Sequence, residues 1–416
     1  MANIRSRGGQ LEPHVLKSVF ALLVVMLLTG CALGSKQPSG TLGPVMALGV
    51  SSDGRYAIST HLSKHLVLWD IERQQREILS TNANIYSAYF INDRDAFLWQ
   101  DLNDQVRVQT IDGEVIQQFT HFPTYGHVMD DSLKHYLAST KTWDIYHGHD
   151  ESLTPVMRDS HSPSVVGSGK MLKLRLAENG YLVSAGTGFG EVDRRPIDSE
   201  HPPVRKLDKL RFSSNYAGVV LWDVNTLKPI AKLAGNNVKV DAAISPDGQW
   251  VVSGDENAIA LYWNTKSPEM NYDLAAGVLG VYKRNTGLPV GDPRKWDKSG
   301  LIPVPMADKP NRWGNRHLTT DITVALAFIN DSQEFLRFGY RSHWVALFEA
   351  GNPWPQKYFD LGDDPYPSTA SYLRSLSIAT APKAQVLVTG HRYDGGITVY
   401  RYDPEARTLT REWVGE

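Results

Sequence analysis

Two stretches far apart in the chain repeat one pattern: "VSSDGRYAISTHLSKHLVLWDI" at 50–71 and "ISPDGQWVVSGDENAIALYWNT" at 244–265. In each, a turn Asp and a large aromatic stand sixteen apart, Asp53 to Trp69 and Asp247 to Trp263. Asp-Gly supplies the positive φ angles of a tight hairpin turn; an apolar strand follows, then a polar turn, then an alternating strand that ends on the aromatic. Each copy therefore encodes half of a four-stranded antiparallel unit. No stretch past residue 43 sustains helical periodicity for long, so the chain reads as strands separated by turns. Asp93 follows Asp53 by forty residues, which sets the repeat length.

Counting at that spacing gives seven turn and strand pairs. They are Asp53 with Trp69, Asp93 with "VQTI" (108–111), Asp131 with Trp143 and Asp144, Asn179 with Trp222 and Asp223, Asp247 with Trp263 and Asn264, Asp331 with Phe348 and Glu349, and Lys383 with Tyr400 and Arg401. These residues resemble the WD-repeat β-propeller family, whose unit is about 40 to 45 residues and four strands. The resemblance covers roughly 44–416 and implies an all-β, seven-bladed propeller. The Gly-His that precedes the first strand of such repeats is not evident; Gly235 and Asn236 stand there in the best-preserved unit. The family's buried Asp, His, Ser and Trp hydrogen-bond set is thus not expected, and inward β-branched and aromatic packing is expected in its place. The closing segment "RTLTREWVG" (407–415) suits the outer strand of a seventh blade, so the ring is expected to close without exchange of a strand between its first and last blades.

The intervals from Asn179 to Asp247 and from Asp247 to Asp331 are 68 and 84 residues, which predicts two long loop insertions. The first, about 188–216, should leave between the second and third strands of its blade. The second, about 265–321, is harder to register, because "GVYKRNTGLPV" (280–290) looks like a copy of "VLWDVNTLKPI" (220–230); the register on Trp263 is preferred. The first holds "RRPIDSEHPPVRKLDKLR" (194–211), whose basic residues are interrupted by acidic ones. Its simplest reading is a solvated loop, and its sharper one an anionic partner such as lipid headgroups. The second has the aromatic and basic content of binding surfaces. Candidate partner-binding residues are Arg194, Arg195, Arg205, Lys206, Trp296 and Trp313.

At the other end, Arg5, Arg7 and Lys17 precede the apolar run Val19 to Leu28. That run is too short to span a bilayer as a mature helix and long enough for the core of a secretory signal. Leu28, Thr29, Gly30 and Cys31 then resemble the bacterial lipobox, which implies cleavage before Cys31 and acylation of its thiol and new amino group. Three acyl chains would make the anchor effectively permanent. Residues 1–30 are thus expected to be a lipoprotein signal peptide, 31–43 a flexible tether, and 44–416 the propeller. In that family an Asp after the Cys retains the protein at the inner membrane; here the position is Ala32, so an outer-membrane anchor facing the periplasm is expected. Cys31 is the chain's single cysteine, so acylation would leave no thiol for a disulfide or a thiolate metal site. Loss of the basic leader takes the formal charge from −2 to −4, and nucleic acid is not an expected partner.

Motifs with chemistry are few. "YHGHD" (146–150) places His147 and His149 beside Asp150 and could be a metal fragment, but a solvated loop is the simpler reading. "GTGFG" (186–190) opens no helix and lacks the amide cradle that phosphate binding needs. No serine elbow, paired His-Glu zinc motif or nucleotide fingerprint appears. No cofactor or metal is assigned. The expected function is a membrane-anchored envelope lipoprotein that binds other envelope proteins without catalysis. The alternative is an enzyme or small-ligand binder using the central channel, which carboxylates or histidines along the axis would favour; a cytoplasmic adaptor would require the lipobox to be accidental.

Overall fold

The structure, a computed structural model, describes residues 42–120, 126–139, 145–149, 152–157, 173–186, 204–206, 218–233, 241–254, 260–267, 270–273, 323–339, 344–352, 355–361, 377–391 and 394–416. They form seven antiparallel sheets, and the four strands of each blade follow one another in chain order. Blade 1 holds β1 (Val45–Val50), β2 (Tyr56–His61), β3 (Leu66–Asp70) and β4 (Gln75–Ser80). In blade 2 these are β5 (Tyr89–Phe90), β6 (Ala96–Gln100), β7 (Gln105–Thr110) and β8 (Val115–Thr120); in blade 3, β9 (Gly126–Met129), β10 (Tyr136–Ser139), β11 (Ile145–His149) and β12 (Ser152–Met157). Blade 4 has β13 (Lys173–Leu176), β14 (Tyr181–Ala185), then, after the separate strand β15 (Val204–Lys206), β16 (Val219–Asp223) and β17 (Lys228–Leu233). Blade 5 is β18 (Asp241–Ile244), β19 (Trp250–Gly254), β20 (Ala260–Asn264) and β21 (Met270–Asp273). Blade 6 is β22 (Thr323–Asn330), β23 (Glu334–Gly339), β24 (Trp344–Glu349) and β25 (Pro355–Asp360). Blade 7 is β26 (Ile378–Ala381), β27 (Val386–Gly390), β28 (Ile397–Asp403) and β29 (Thr408–Gly415). The first strands adjoin one another around an axis, β1 beside β26 and β5, β13 beside β9 and β18, β22 beside β18 and β26. The molecule is a seven-bladed β-propeller.

The sequence builds this ring because its inner strands are apolar on both faces. Alternation of side chains sends Leu66 and Leu68 of β3 toward blade 2 and Val67 and Trp69 toward blade 7. The same division recurs around the ring, so that one apolar cluster fills each of the seven seams. Within the seam of blades 5 and 6, Phe335 stacks on Phe348 at 5.3 Å between ring centres. The last seam closes blade 7 on blade 1. Val45 N–H donates to the His391 carbonyl (3.0 Å), Ser377 Oγ donates to the Val45 carbonyl (2.9 Å), and Trp69 meets Trp413 edge to face at 6.2 Å. Glycine is required at 390, where a Cβ would lie 2.6 Å from that of Val45. β29 is the outer strand of blade 7, so both terminal blades are contiguous in sequence and, among the described residues, no strand is exchanged.

Three expectations need correction. In blade 3 the Trp143 and Asp144 pair precedes β11 and lies outside the described residues; Gly148 and His147 face Tyr136 and Leu137 across the ladder. The register is set by the turn, in which Asp130 accepts the His135 N–H (2.7 Å), and not by the dipeptide. Second, part of the family's hydrogen-bond set is present. Trp69 Nε1–H donates to Ser59 Oγ (2.8 Å), and Ser59 Oγ is 2.8 Å from His61 Nε2; in blade 4, Trp222 donates to Ser184 (3.0 Å). Trp69 stands opposite Ala57 and Trp222 opposite Leu182, so the serine two residues on is the diagonal neighbour on the same face, within reach of an indole. Third, both stretches read as insertions hold a sheet strand. The first does leave between the second and third strands of blade 4, but β15 within it pairs with β21 and makes blade 5 five-stranded. Residues 265–267 supply a turn and β21 (Met270–Asp273) the fourth strand of blade 5, with Trp263 in the third strand as preferred; "GVYKRNTGLPV" lies outside the described residues.

Ser59→Ala would leave the buried indole N–H of Trp69 unpartnered and should lower unfolding stability by about 1–3 kcal/mol. A urea midpoint unchanged from wild type would refute that role. Burial pushes the His61 imidazole down to about 4, below its unfolded value near 6.5. The unfolded chain therefore takes up the extra proton between those pH values, and stability present above pH 6.5 is lost as pH falls toward 4, by up to about 3 kcal/mol. Over that range the urea stability of wild type should fall more steeply than that of His61→Gln; parallel curves would contradict the assignment.

Candidate functional site

Each first strand runs toward a tight turn, and the seven turns surround one mouth of the axial channel. Most turns keep Asp or Asn at the position of Asp53, because a short carboxylate or amide can accept the backbone N–H two residues on. Asp53 accepts from Arg55 (3.0 Å), Asn179 from Tyr181 (3.0 Å) and Asp247 from Gln249 (2.9 Å). Burial alone would raise the Asp53 pKa; the Arg55 N–H, the Ser51 hydroxyl and the Arg55 guanidinium together outweigh it and hold the carboxyl below its ordinary value. Successive turns lean on one another. Asp93 N–H donates to Ser52 Oγ (3.1 Å), Glu178 N–H to the Pro246 carbonyl (2.9 Å), Asp247 N–H to Ser332 Oγ (3.0 Å) and Asp331 N–H to the Pro382 carbonyl (3.0 Å).

At this mouth lies a cavity of about 200 Å³, walled by first-strand residues such as Leu48, Leu176, Ile244, Phe328 and Thr380. Its charged lining residues are Arg175, Glu178 and Lys383. Lys383 Nζ reaches across from blade 7 to Glu178 of blade 4 at 2.7 Å. The hydrogen bond to Glu178, with the charges of Glu178, Asp93 and Asp331, raises the Lys383 pKa and keeps it protonated. Lys383 occupies the position that Asp53 holds in blade 1, and the seven-turn register had already set this lone cation among Asp and Asn residues. Among the described residues the lining supplies one carboxylate, already paired, and no histidine.

The other candidates fare differently. Cys31, Arg194, Arg195, Trp296 and Trp313 lie outside the described residues. Arg205 and Lys206 belong to β15, their backbones opposite Asn271 and Met270. That pairing links a strand from the blade 4 excursion to blade 5, which spacing alone did not reveal. In an antiparallel blade, connections from strand two to three and from strand four to the next blade leave the same end. The strand ends that carry both excursions, Ala185 and Asp273, therefore lie on the face opposite the turns and the cavity.

With this geometry in view, comparison with known proteins points one way. The WD40 model, described as WD domain, G-beta repeat, matches residues 227–264, which run from β17 of blade 4 to β20 of blade 5. The β-propeller domain of Myceliophteria thermophila Cps50 (Swd1) superposes with a TM-score of 0.51 at 12% identity, covering 86% of this chain and 96% of that one. Its likeness is one of fold. A fold shared with 1491 solved chains does not by itself select a ligand. No curated protein matches the sequence. The class is thus a WD-repeat-like seven-bladed propeller.

The Lys383 and Glu178 side chains are 48% and 40% exposed, so their bridge should contribute less than about 1 kcal/mol. Lys383→Met should leave the urea midpoint nearly unchanged; a large loss would make the bridge a structural clasp instead.

Proposed function

We propose that this protein is a non-catalytic interaction scaffold, held at the cell envelope by lipid on Cys31, that presents its excursion-bearing face to other envelope proteins. The observation that carries the reading is the division of the ring into two faces. One is closed by short turns tied blade to blade, whereas both long excursions depart from the other. Long connections beyond what a fold needs are commonly binding elements. Arg194, Arg195, Arg205, Lys206, Trp296 and Trp313 are the side chains to test there. Among the described residues no helix is long and apolar enough to cross a membrane; an acylated Cys31 is the proposed attachment.

The channel-mouth cavity favours a second reading, a small ligand bound beside Lys383 and Glu178. Its volume suits only a ligand smaller than a typical drug-sized molecule.

Cys31→Ala should abolish acylation and move the protein from the membrane to the soluble fraction; retention of that variant on membranes without detergent would overturn the anchor. Replacing residues 275–315 by a short Gly/Ser turn spares β21 and β22, and should leave the ring folded while removing the partners captured from detergent extracts by wild type. Identical partners for both proteins would place the binding face elsewhere. Loss of the folded signal would make the excursion structural.

A further inference from the structure

In blade 3 the position of the third-strand tryptophan falls on Gly148, opposite Tyr136, and its neighbour His147 takes the other face of the sheet. The β10 to β11 ladder sets His147 opposite Leu137, and the turn before β10 places His135 two residues ahead of Leu137. Side chains two apart on a strand share a face, so the rings of His135 and His147 meet at the edge of the seam with blade 4. His135 Nδ1 and His147 Nε2 are 3.1 Å apart, and the ring centres 5.3 Å. Both residues are half-buried. Their backbones are held independently of this contact: Asp130 Oδ1 accepts the His135 N–H (2.7 Å), and His147 lies between Leu137 and Thr154 in the sheet.

We propose that His135 and His147 form a binding site for a borderline divalent cation, of the zinc, nickel or copper class. Two imidazole nitrogens about 2.0–2.1 Å from one ion lie about 2.9 Å apart at a right-angle coordination and about 3.3 Å apart at a tetrahedral one. The observed separation falls between these values. Imidazole pairs select this class of ion over calcium and magnesium, which prefer oxygen ligands. Among the described residues no group of three or more His, Cys, Asp or Glu side chains gathers around a common point, so the two imidazoles act as a bidentate clip with water at the remaining positions. The clip would fasten the turn at 130–135 to the third strand of blade 3. The alternative is a neutral histidine pair sharing one proton, with no affinity for metal.

The test uses the untagged full chain, since an affinity tag of histidines would compete. Zinc chloride titrated at pH 7.5 and followed by calorimetry should show one saturable site, and zinc should raise the thermal midpoint. His135→Ala and His147→Ala should each weaken that site about tenfold or more and abolish the thermal shift, while His65→Ala leaves both unchanged. Lowering the pH to 5.5 should also release zinc, because protonated imidazole cannot coordinate. Circular dichroism of the variants without metal separates loss of the site from loss of the fold; if either fails to fold, His147→Gln supplies the same readout. Absence of saturable zinc, nickel or copper binding to wild type, or binding unchanged in the folded variants, would overturn the proposal.

Discussion

Every blade depends on its neighbours, because its inner strands are apolar on both faces and no single sheet can cover both. A four-stranded sheet alone would expose half of the side chains now buried, such as Trp69 and Trp263, each fully inaccessible. The seams supply the missing cover, and the seam between blades 7 and 1 completes the set. It does so by packing and a few hydrogen bonds, with Gly390 permitting Val45 to approach. A bulkier residue at 390 would press on the only junction not bridged by continuous chain.

Polar groups inside this apolar ring are handled locally. Ser59 and Ser184 receive indole N–H groups, and His61 remains neutral within its pocket. Glu334 is buried but accepts from Tyr402 (2.8 Å) and Asn330 (3.0 Å) and faces Arg407 at 2.9 Å, so blades 6 and 7 share a satisfied carboxylate. Asp241, equally buried, accepts the Leu326 N–H and pairs with Lys173, joining blades 4, 5 and 6 around the end of the channel away from the turns. Such buried charges contribute position more than net stability.

Much of the ring was legible because a turn and an aromatic at fixed spacing are local signals. The register on Trp263 and the seven turns followed from them. In blade 3 two local signals compete: the Trp143 and Asp144 dipeptide, and the turn, from whose Ser132 a sixteen-residue spacing lands on Gly148. The indole ties were missed because a diagonal contact depends on register, which composition does not reveal. β15 was hidden for a different reason: its partner strand lies more than sixty residues on, and three residues carry no periodicity. Of the site, Lys383 was visible as the odd residue in a column of Asp and Asn, but Glu178 as its partner required the ring. His147 was singled out with His149, its neighbour in sequence; the histidine it meets in space is His135, twelve residues earlier.

Contiguous blades have a mechanical consequence. The chain enters blade 1 at Leu42, which is buried in the closing seam, and passes directly into β1, the innermost strand. Tension applied to that end along the ring axis would load the β1 to β2 hydrogen bonds in shear, all together, and not one after another as in unzipping. It would also draw against the Val45 contacts with blade 7. A propeller closed by an exchanged outer strand would feel such a pull first at its rim. Here the load reaches the axis, where the packing is deepest, and the ring can resist it without a covalent staple.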